Sequence, residues 1–283
     1  MTGNTLLLFH AGAALAAAER QIQRDRVRDG PGARVRAAVA GAYADLWACE
    51  RLARAGNVRE SAAVVDRYLA PRILLDAADG LATVWGDRLG EDSGPAADYR
   101  HHVRRLATLA GVPGATARLR EVAARIPALV TGDDRLAHPL TAVPATALKA
   151  PLDRVVRALE DERRAVLRAA SALLPEPGDA RGCAPNDDPG LWALTDRYAL
   201  LAMAAECLDG WRTPSSPQRR RPPGDDIACL TGELARITTG LGLTTGVTGK
   251  SWYGRVYALA SSGRADATAG ARLPRGEFAR AVE

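Results

Sequence analysis

Three short stretches in the first third of the chain decide its fold: AYADLWACER at residues 42–51, SAAVVDRYLAPR at 61–72 and LATVWGDR at 81–88. Around the first stretch, apolar residues recur every three or four positions, at Val35, Val39, Tyr43 and Leu46. This spacing places them on one face of an α-helix. We therefore predict a helix over residues 33–55 with one face in the core.

The same helical spacing recurs along the whole chain. Alanine, leucine and arginine favour helix, aromatic residues make up only 5% of the chain, and alternating apolar runs typical of strands are hard to find. We therefore predict an all-α fold, with Pro71 kinking the third helix. The predicted helices cover residues 5–28, 33–55, 59–85, 99–109, 115–129, 152–174, 191–211, 227–237 and 252–259. We expect residues 213–226 to be mobile and the tail from 261 to be disordered.

Charge and cysteine content exclude several classes of protein. The formal net charge is +5, but acids and arginines alternate, as between residues 153 and 164, which is typical of a solvated helix surface and not of a nucleic-acid interface. The four cysteines form no C-x-x-C pair, so the sequence predicts neither a zinc site nor a disulfide framework. We expect three of them to be small buried residues in a reducing compartment. The four cysteines of the chain are Cys49, Cys183, Cys207 and Cys229.

An apolar stretch at residues 6–18 resembles the core of a signal peptide. However, no Lys or Arg precedes it, and His10 interrupts it. No apolar run approaches the roughly 20 residues that a membrane span requires. We predict that residues 6–18 form a buried helix and that the protein is cytoplasmic.

Taken in order, the three opening stretches resemble the C-terminal helical domain of the acyl-CoA dehydrogenases, in a long variant found in bacterial biosynthetic enzymes. DRYALL at residues 196–201 and CLDGW at 207–211 resemble the extra C-terminal helices of that variant. The resemblance implies an acyl-CoA dehydrogenase C-terminal-like helical bundle over residues 1–130, a connector over 131–151 and an additional helical region over 152–283. It also implies that the N-terminal and β domains of such an enzyme are absent from this chain.

The resemblance further implies a flavin, FAD, and suggests where this chain would contact it. Family members usually carry Arg-x-x-Phe-Gly after the first helix, with the arginine at the flavin phosphates. The matching residues 26–30 read RVRDG, so Arg26 is kept while Asp29 replaces the aromatic residue. The turn with Trp85 and Gly86 would help to hold the adenosine half. Because arginine is so common here, a solvated Arg26 is the alternative.

No acid occupies either of the positions where the family carries its catalytic base. The loop at residues 110–116 reads AGVPGAT, and the alternative position on the first helix lies near Thr5. Glu121 follows the loop by a turn or more. Because a base must come within hydrogen-bond distance of its proton, we expect no catalytic residue in this chain.

These expectations lead to two hypotheses about function. The resemblance implies a subunit of a heteromeric, FAD-dependent dehydrogenase that desaturates an acyl thioester, on CoA or on an acyl carrier protein, in specialised metabolism. A complementary dehydrogenase-like subunit would supply the base and most of the flavin pocket. The alternative is a catalytically inactive relative that acts as a scaffold or stabilising partner.

Two other motifs indicate little chemistry. Gly249, Lys250 and Ser251 resemble the end of a phosphate-binding loop, but Thr244 stands where that motif requires glycine. His101 and His102 are adjacent on a predicted helix and therefore point in different directions. We expect these histidines to have a surface or interface role and not to form a metal site.

Overall fold

The computed structural model describes residues 3–25, 31–111, 114–140, 148, 150–173, 189–212, 223–247 and 252–261. Every regular element in these ranges is helical and none is a strand, which confirms the predicted all-α class. The α-helices are α1 (Gly3–Asp25), α2 (Ala33–Gly56), α3 (Glu60–Gly80), α4 (Gly94–Ala110), α5 (Ala115–Ala123), α6 (Ile126–Thr131), α7 (Leu152–Leu173), α8 (Pro189–Arg212), α9 (Pro223–Gly240) and α10 (Tyr253–Ser261). Short 3₁₀ helices cover Leu81–Val84, Gly86–Gly90 and Arg135–Ala137.

Helix α2 lies at the centre of the described structure, in contact with α1, α3, α8, α9 and α10. Every residue from Val39 to Cys49 is buried, so the prediction of a single core face is wrong for this helix. Small side chains such as Ala40, Ala44 and Ala48 explain the difference, because they let neighbouring helices approach from several sides. Buried residues from α1 through α10 form one hydrophobic cluster. The division at residues 130 and 151 stays a prediction, although helices from both sides contribute to this cluster.

Several predicted helix boundaries differ from the structure. The third helix ends at Gly80 and continues as two 3₁₀ helices, and α4 begins five residues earlier than predicted, with Pro95 in its first turn. Proline suits that position because a first-turn N–H lacks a helical partner anyway. The predicted helix 115–129 is interrupted after Ala123, and α6 restarts at Ile126 with Pro127 in its first turn.

The last two-fifths of the chain contain longer helices than predicted. Helix α9 begins at Pro223, so the final residues of the predicted mobile segment 213–226 are helical. The rest of that segment, the tail beyond residue 261, Cys183 and Lys250 lie outside the described residues. Cys49, Cys207 and Cys229 are buried in helices, as predicted, and none of them forms a disulfide bond within the described residues.

The apolar stretch at residues 6–18 forms part of α1, and Leu7, Ala14 and Leu15 are buried in the core. This confirms its prediction as a buried helix. Among the described helices, none combines the length and the apolar character that crossing a membrane would need.

Candidate functional site

Trp85, predicted to lie at a cofactor, is buried between the first two 3₁₀ helices. Its side chain is 3% exposed, and its ring lies 5.2 Å from that of Tyr99 on α4. The Tyr99 hydroxyl donates to the carbonyl of Ala78 at 2.7 Å, and burial, helped by the Asp79 charge, raises the pKa of Tyr99 to about 12. The Trp85 Nε1–H is buried and has no hydrogen-bond partner among the described residues. The indole therefore packs α4 onto the end of α3.

Gly86, the next residue, lies in an open turn. Its φ is +51°, a conformation that favours glycine, and nothing comes within 4 Å of a Cβ built on it. The main chain of this turn is therefore accessible to a ligand or a partner chain.

An ion pair joins the Gly86 turn to the end of α1. Arg88 Nη1 lies 2.5 Å from Asp25 Oδ1, and Gln21 on α1 donates to the other oxygen of Asp25 at 3.0 Å. Asp25 directly precedes Arg26 in the sequence, while Arg26 itself lies outside the described residues. The end of α1, which directly precedes Arg26 in the sequence, thus lies at the Gly86 turn, about 60 residues further along the chain.

Arg24, Asp25, Gly86 and Arg88 form this corner, which has some of the features that a flavin diphosphate requires. A diphosphate binds where cations and accessible backbone N–H groups converge. Arg24 supplies charge, Gly86 supplies open backbone, and Arg88 is already neutralised by Asp25. The corner fits the edge of a phosphate site. The described residues enclose no pocket for the flavin ring there.

A second polar site lies at the opposite end of α1, in a cleft of about 310 Å³ that we call the Asp66 cleft. The first turn of α1, the end of α2, the first half of α3 and α5 form its walls. Gly56 permits this arrangement, because a Cβ there would lie 3.0 Å from the Ala63 Cα. The lining residues are Asn4, Thr5, Ala53, Gly56, Asn57, Ala63, Asp66, Arg67 and Arg118.

Asp66 is the most unusual residue of this cleft. It is 6% exposed, its Oδ2 accepts a hydrogen bond from the Asn4 side-chain amide, and its buried Oδ1 has no hydrogen-bond partner among the described residues. Burial raises the pKa of Asp66 to about 6, against the opposing effects of the Asn4 hydrogen bond and the Arg67 charge. Asp66 therefore exchanges a proton near neutral pH.

The two arginines of the cleft differ in how they are paired. The Arg67 guanidinium lies 3.1 Å from Glu60 and 3.2 Å from Glu121, so two acids already neutralise it. The Arg118 guanidinium, on α5, makes no ion pair or side-chain hydrogen bond with the rest of the described chain. Arg118 is therefore the available cation of the cleft.

A third polar region, a cleft of about 350 Å³, lies between α2, α3, α8 and α9. Arg236 donates to both oxygens of the buried Asp45, and Arg72 pairs with Asp196 at 2.9 Å. Burial raises the pKa of Asp45 even though Arg236 opposes the shift. Because these charges are paired with one another, the region joins the surrounding helices through ion pairs.

The histidines on α4 have a partner that the sequence did not predict. His102 contacts His10 on α1 with 3.0 Å between the two Nδ1 atoms, and Phe9 packs edge-on against both rings. His102 thus lies at the contact between α1 and α4, while His101 is exposed, and a surface or interface role for the two histidines stays a prediction. The contact could not be predicted from local sequence patterns, because the two histidines are 92 residues apart.

Asp66 could have been found from the sequence by a different signal. Ala62, Val65 and Leu69 have the three- and four-residue spacing of a buried face, and Asp66 lies within that face. An acid on an apolar helix face is buried unless the helix shifts, and buried acids are uncommon without a partner. The sequence analysis looked for a catalytic base only at the two positions of the family, and Asp66 occupies neither of them.

Comparison with known proteins yields no match to any family model, to any curated protein or to any solved structure. The dehydrogenase resemblance therefore rests on the sequence segments quoted above.

Proposed function

We propose that this chain is the helical subunit of a heteromeric, flavin-dependent acyl dehydrogenase. The observation that supports this most strongly is the meeting of the α1 end with the Gly86 turn through the Asp25–Arg88 ion pair. The resemblance assigns Arg26, the residue after Asp25, and the Gly86 turn to one cofactor, and a shared contact requires a fold that brings the end of α1 to this turn. The substrate would be an acyl thioester of CoA or of an acyl carrier protein.

The chain and its partner would divide the work. Arg26 and the main chain at Gly86 would contact the phosphate or adenosine part of FAD, and a complementary dehydrogenase-like subunit would enclose the ring. Bound FAD would supply the hydride acceptor, and the partner would supply the carboxylate base that this chain lacks at both family positions. The open Gly86 turn supports this division, because it leaves the main chain free to meet a surface from another subunit.

Co-expression tests the proposal. The chain is tagged and produced together with dehydrogenase-like subunits encoded beside it, and the purified material is examined for flavin absorbance and subunit ratio. We expect a yellow complex of fixed stoichiometry that desaturates an acyl thioester. A colourless monomer that captures no such subunit would contradict the proposal.

Reversing the charge of Arg26 distinguishes a contact with the flavin from a purely structural role of this residue. Arg26→Glu should weaken flavin retention by the complex, while Arg104→Glu, an exposed change on α4, should not. Arg88→Glu would also break the ion pair with Asp25 and should loosen the corner.

The scaffold hypothesis is favoured by one observation, the burial of Trp85, which packs helices and presents no indole surface to a ligand. If Arg26→Glu leaves flavin retention and desaturation unchanged in a stable complex, the chain acts as a scaffold for its partner.

A further inference from the structure

The Asp66 cleft contains an unsatisfied polar atom that no part of the proposed dehydrogenase function uses. The Oδ1 atom of Asp66 is buried and has no hydrogen-bond partner in the described part of the chain. Leaving a buried acceptor without a partner costs free energy, and more if the group is charged. A ligand that donates a hydrogen bond to Oδ1 would recover that free energy.

The protonation of Asp66 decides which donor suits it best. Burial disfavours its ionised form, and the nearby Arg67 is neutralised by Glu60 and Glu121. A neutral hydroxyl would satisfy the hydrogen bond but leave a desolvated negative charge without a counter-charge. An ammonium group would supply both the hydrogen bond and the opposite charge, so its attraction to Asp66 is the greater.

Arg118 lines the same cleft and has no ion-pair partner in the described residues. It therefore suits an anionic group, whereas Asp66 suits a cationic one. A guanidinium binds a carboxylate through two parallel hydrogen bonds. Asn57 and Thr5 add a side-chain amide and a hydroxyl to the lining. A volume of about 310 Å³ lies at the small end of ligand pockets, which suits a molecule of metabolite size.

We propose that the Asp66 cleft is a binding site for a small zwitterion of the amino-acid class, whose ammonium group contacts Asp66 and whose carboxylate contacts Arg118. The first turn of α1 closes the site, because Asn4 holds the second Asp66 oxygen. The proposal does not depend on the dehydrogenase function, since the cleft and the Gly86 corner lie at opposite ends of α1.

Calorimetric titration of the full chain with zwitterions of increasing length tests the site. The probes are glycine, β-alanine, 4-aminobutyrate and 6-aminohexanoate. They differ in the distance between the ammonium and carboxylate groups, so the series finds the distance that best fits Asp66 and Arg118. Butyrate and butylamine each lack one charged end and serve as controls. We expect at least one zwitterion to bind at least tenfold more tightly than either single-ended probe. Failure of every zwitterion to bind better than butyrate and butylamine would overturn the proposal.

Matched variants show which residue binds the ammonium group of the zwitterion and which binds its carboxylate. Asp66→Asn should weaken the best zwitterion at least tenfold while leaving the affinity for butyrate unchanged, and Arg118→Gln should weaken both the zwitterion and butyrate. Asp79→Asn and Arg104→Gln, exposed changes on α3 and α4, should leave binding as in the wild type. Circular dichroism confirms that each variant is folded. Unchanged affinity in folded Asp66→Asn would overturn the assignment.

Proton release provides a further readout that a merely structural role would not move. An ammonium group beside Asp66 favours its ionised form, so binding near pH 6 should expel a proton from the carboxyl. Titrations in two buffers of different ionisation enthalpy should show this release in the wild type and none in Asp66→Asn. Equal heats in both buffers near pH 6 would count against an ammonium group at Asp66.

Discussion

The Nδ1 atoms of His10 on α1 and His102 on α4 lie 3.0 Å apart, so one imidazole donates a hydrogen bond that the other accepts. This arrangement requires at least one neutral ring. Burial, together with His102, His101 and Arg105, lowers the pKa of His10 to about 4, and burial and His101 lower the pKa of His102. The contact between α1 and α4 is therefore sensitive to acid.

We expect the contribution of this histidine pair to the free energy of unfolding to fall as the pH falls from about 6.5 to about 4. In that window the unfolded chain binds protons at these histidines and the folded chain resists them. His10→Asn should reduce the fall, because it removes one titrating ring. Urea unfolding at about pH 7 and about pH 4.5 measures the difference. His138→Asn, at an exposed histidine, is the control, and an equal effect of both variants would refute the prediction.

Asp66 should show the opposite dependence on pH. Its pKa is raised from 3.8 to about 6, so the folded chain holds the proton more firmly than the unfolded chain. Stability contributed by the protonated form is present below about pH 4 and is lost as the pH rises to about 6. Asp66→Asn should therefore stabilise the protein above pH 6, by up to about 3 kcal/mol, and have little effect near pH 4. Denaturant unfolding measures this, with Asp79→Asn as control.

The Asp45–Arg236 pair should behave as a unit. Replacing Arg236 by Met leaves a buried carboxylate without its counter-charge, which costs about 3–5 kcal/mol in such pairs. Asp45→Asn in the same chain should recover part of that loss, since it removes the stranded charge. A double-mutant cycle in urea measures the coupling. Arg54→Met, which breaks only an exposed pair with Glu50, should cost less than about 1 kcal/mol; a similar cost for Arg54 and Arg236 would contradict the prediction.

Two helical glycines should respond oppositely to alanine. A Cβ on Gly232 of α9 would lie 2.7 Å from Cε3 of the buried Trp252, so Gly232→Ala should cost about 1–3 kcal/mol by overpacking. Nothing lies within 4 Å of a Cβ on Gly80 at the end of α3, and Gly80→Ala should be neutral or stabilising by up to about 1 kcal/mol. Thermal unfolding of both variants, compared with the wild type, checks this. Equal melting temperatures for the two would refute it.

The sequence predicted the helices better than it predicted their ends. The prediction of residues 33–55 for α2 matches Ala33–Gly56 closely, because apolar spacing and a following Gly–Asn stop signal agree there. The third helix was predicted to reach residue 85 because Leu81 and Trp85 continue its spacing. In the structure Leu81 is buried in the first 3₁₀ helix and Trp85 is buried in the turn after it, so both stay in the core without an α-helical backbone.

The candidate sites were less accessible to sequence reasoning. Trp85 and Gly86 were selected through the resemblance, but the sequence could not show that the Trp85 indole is buried while the Gly86 main chain is open. Asp66 was not selected at all. Its environment depends on Asn4, 62 residues away, and on α5, which forms one wall of the cleft. Neither contact can be predicted from the local sequence around Asp66.

The sequence by itself determined that this protein is helical, since that follows from the local repeat of apolar residues. The tertiary structure alone decided that Asp25 meets Arg88, that His10 meets His102 and that Asp66 keeps an unsatisfied oxygen in a cleft. The reason is physical: a helix repeat is fixed by neighbours three and four residues away. The charge and hydration of a side chain depend instead on atoms that packing brings from distant parts of the chain.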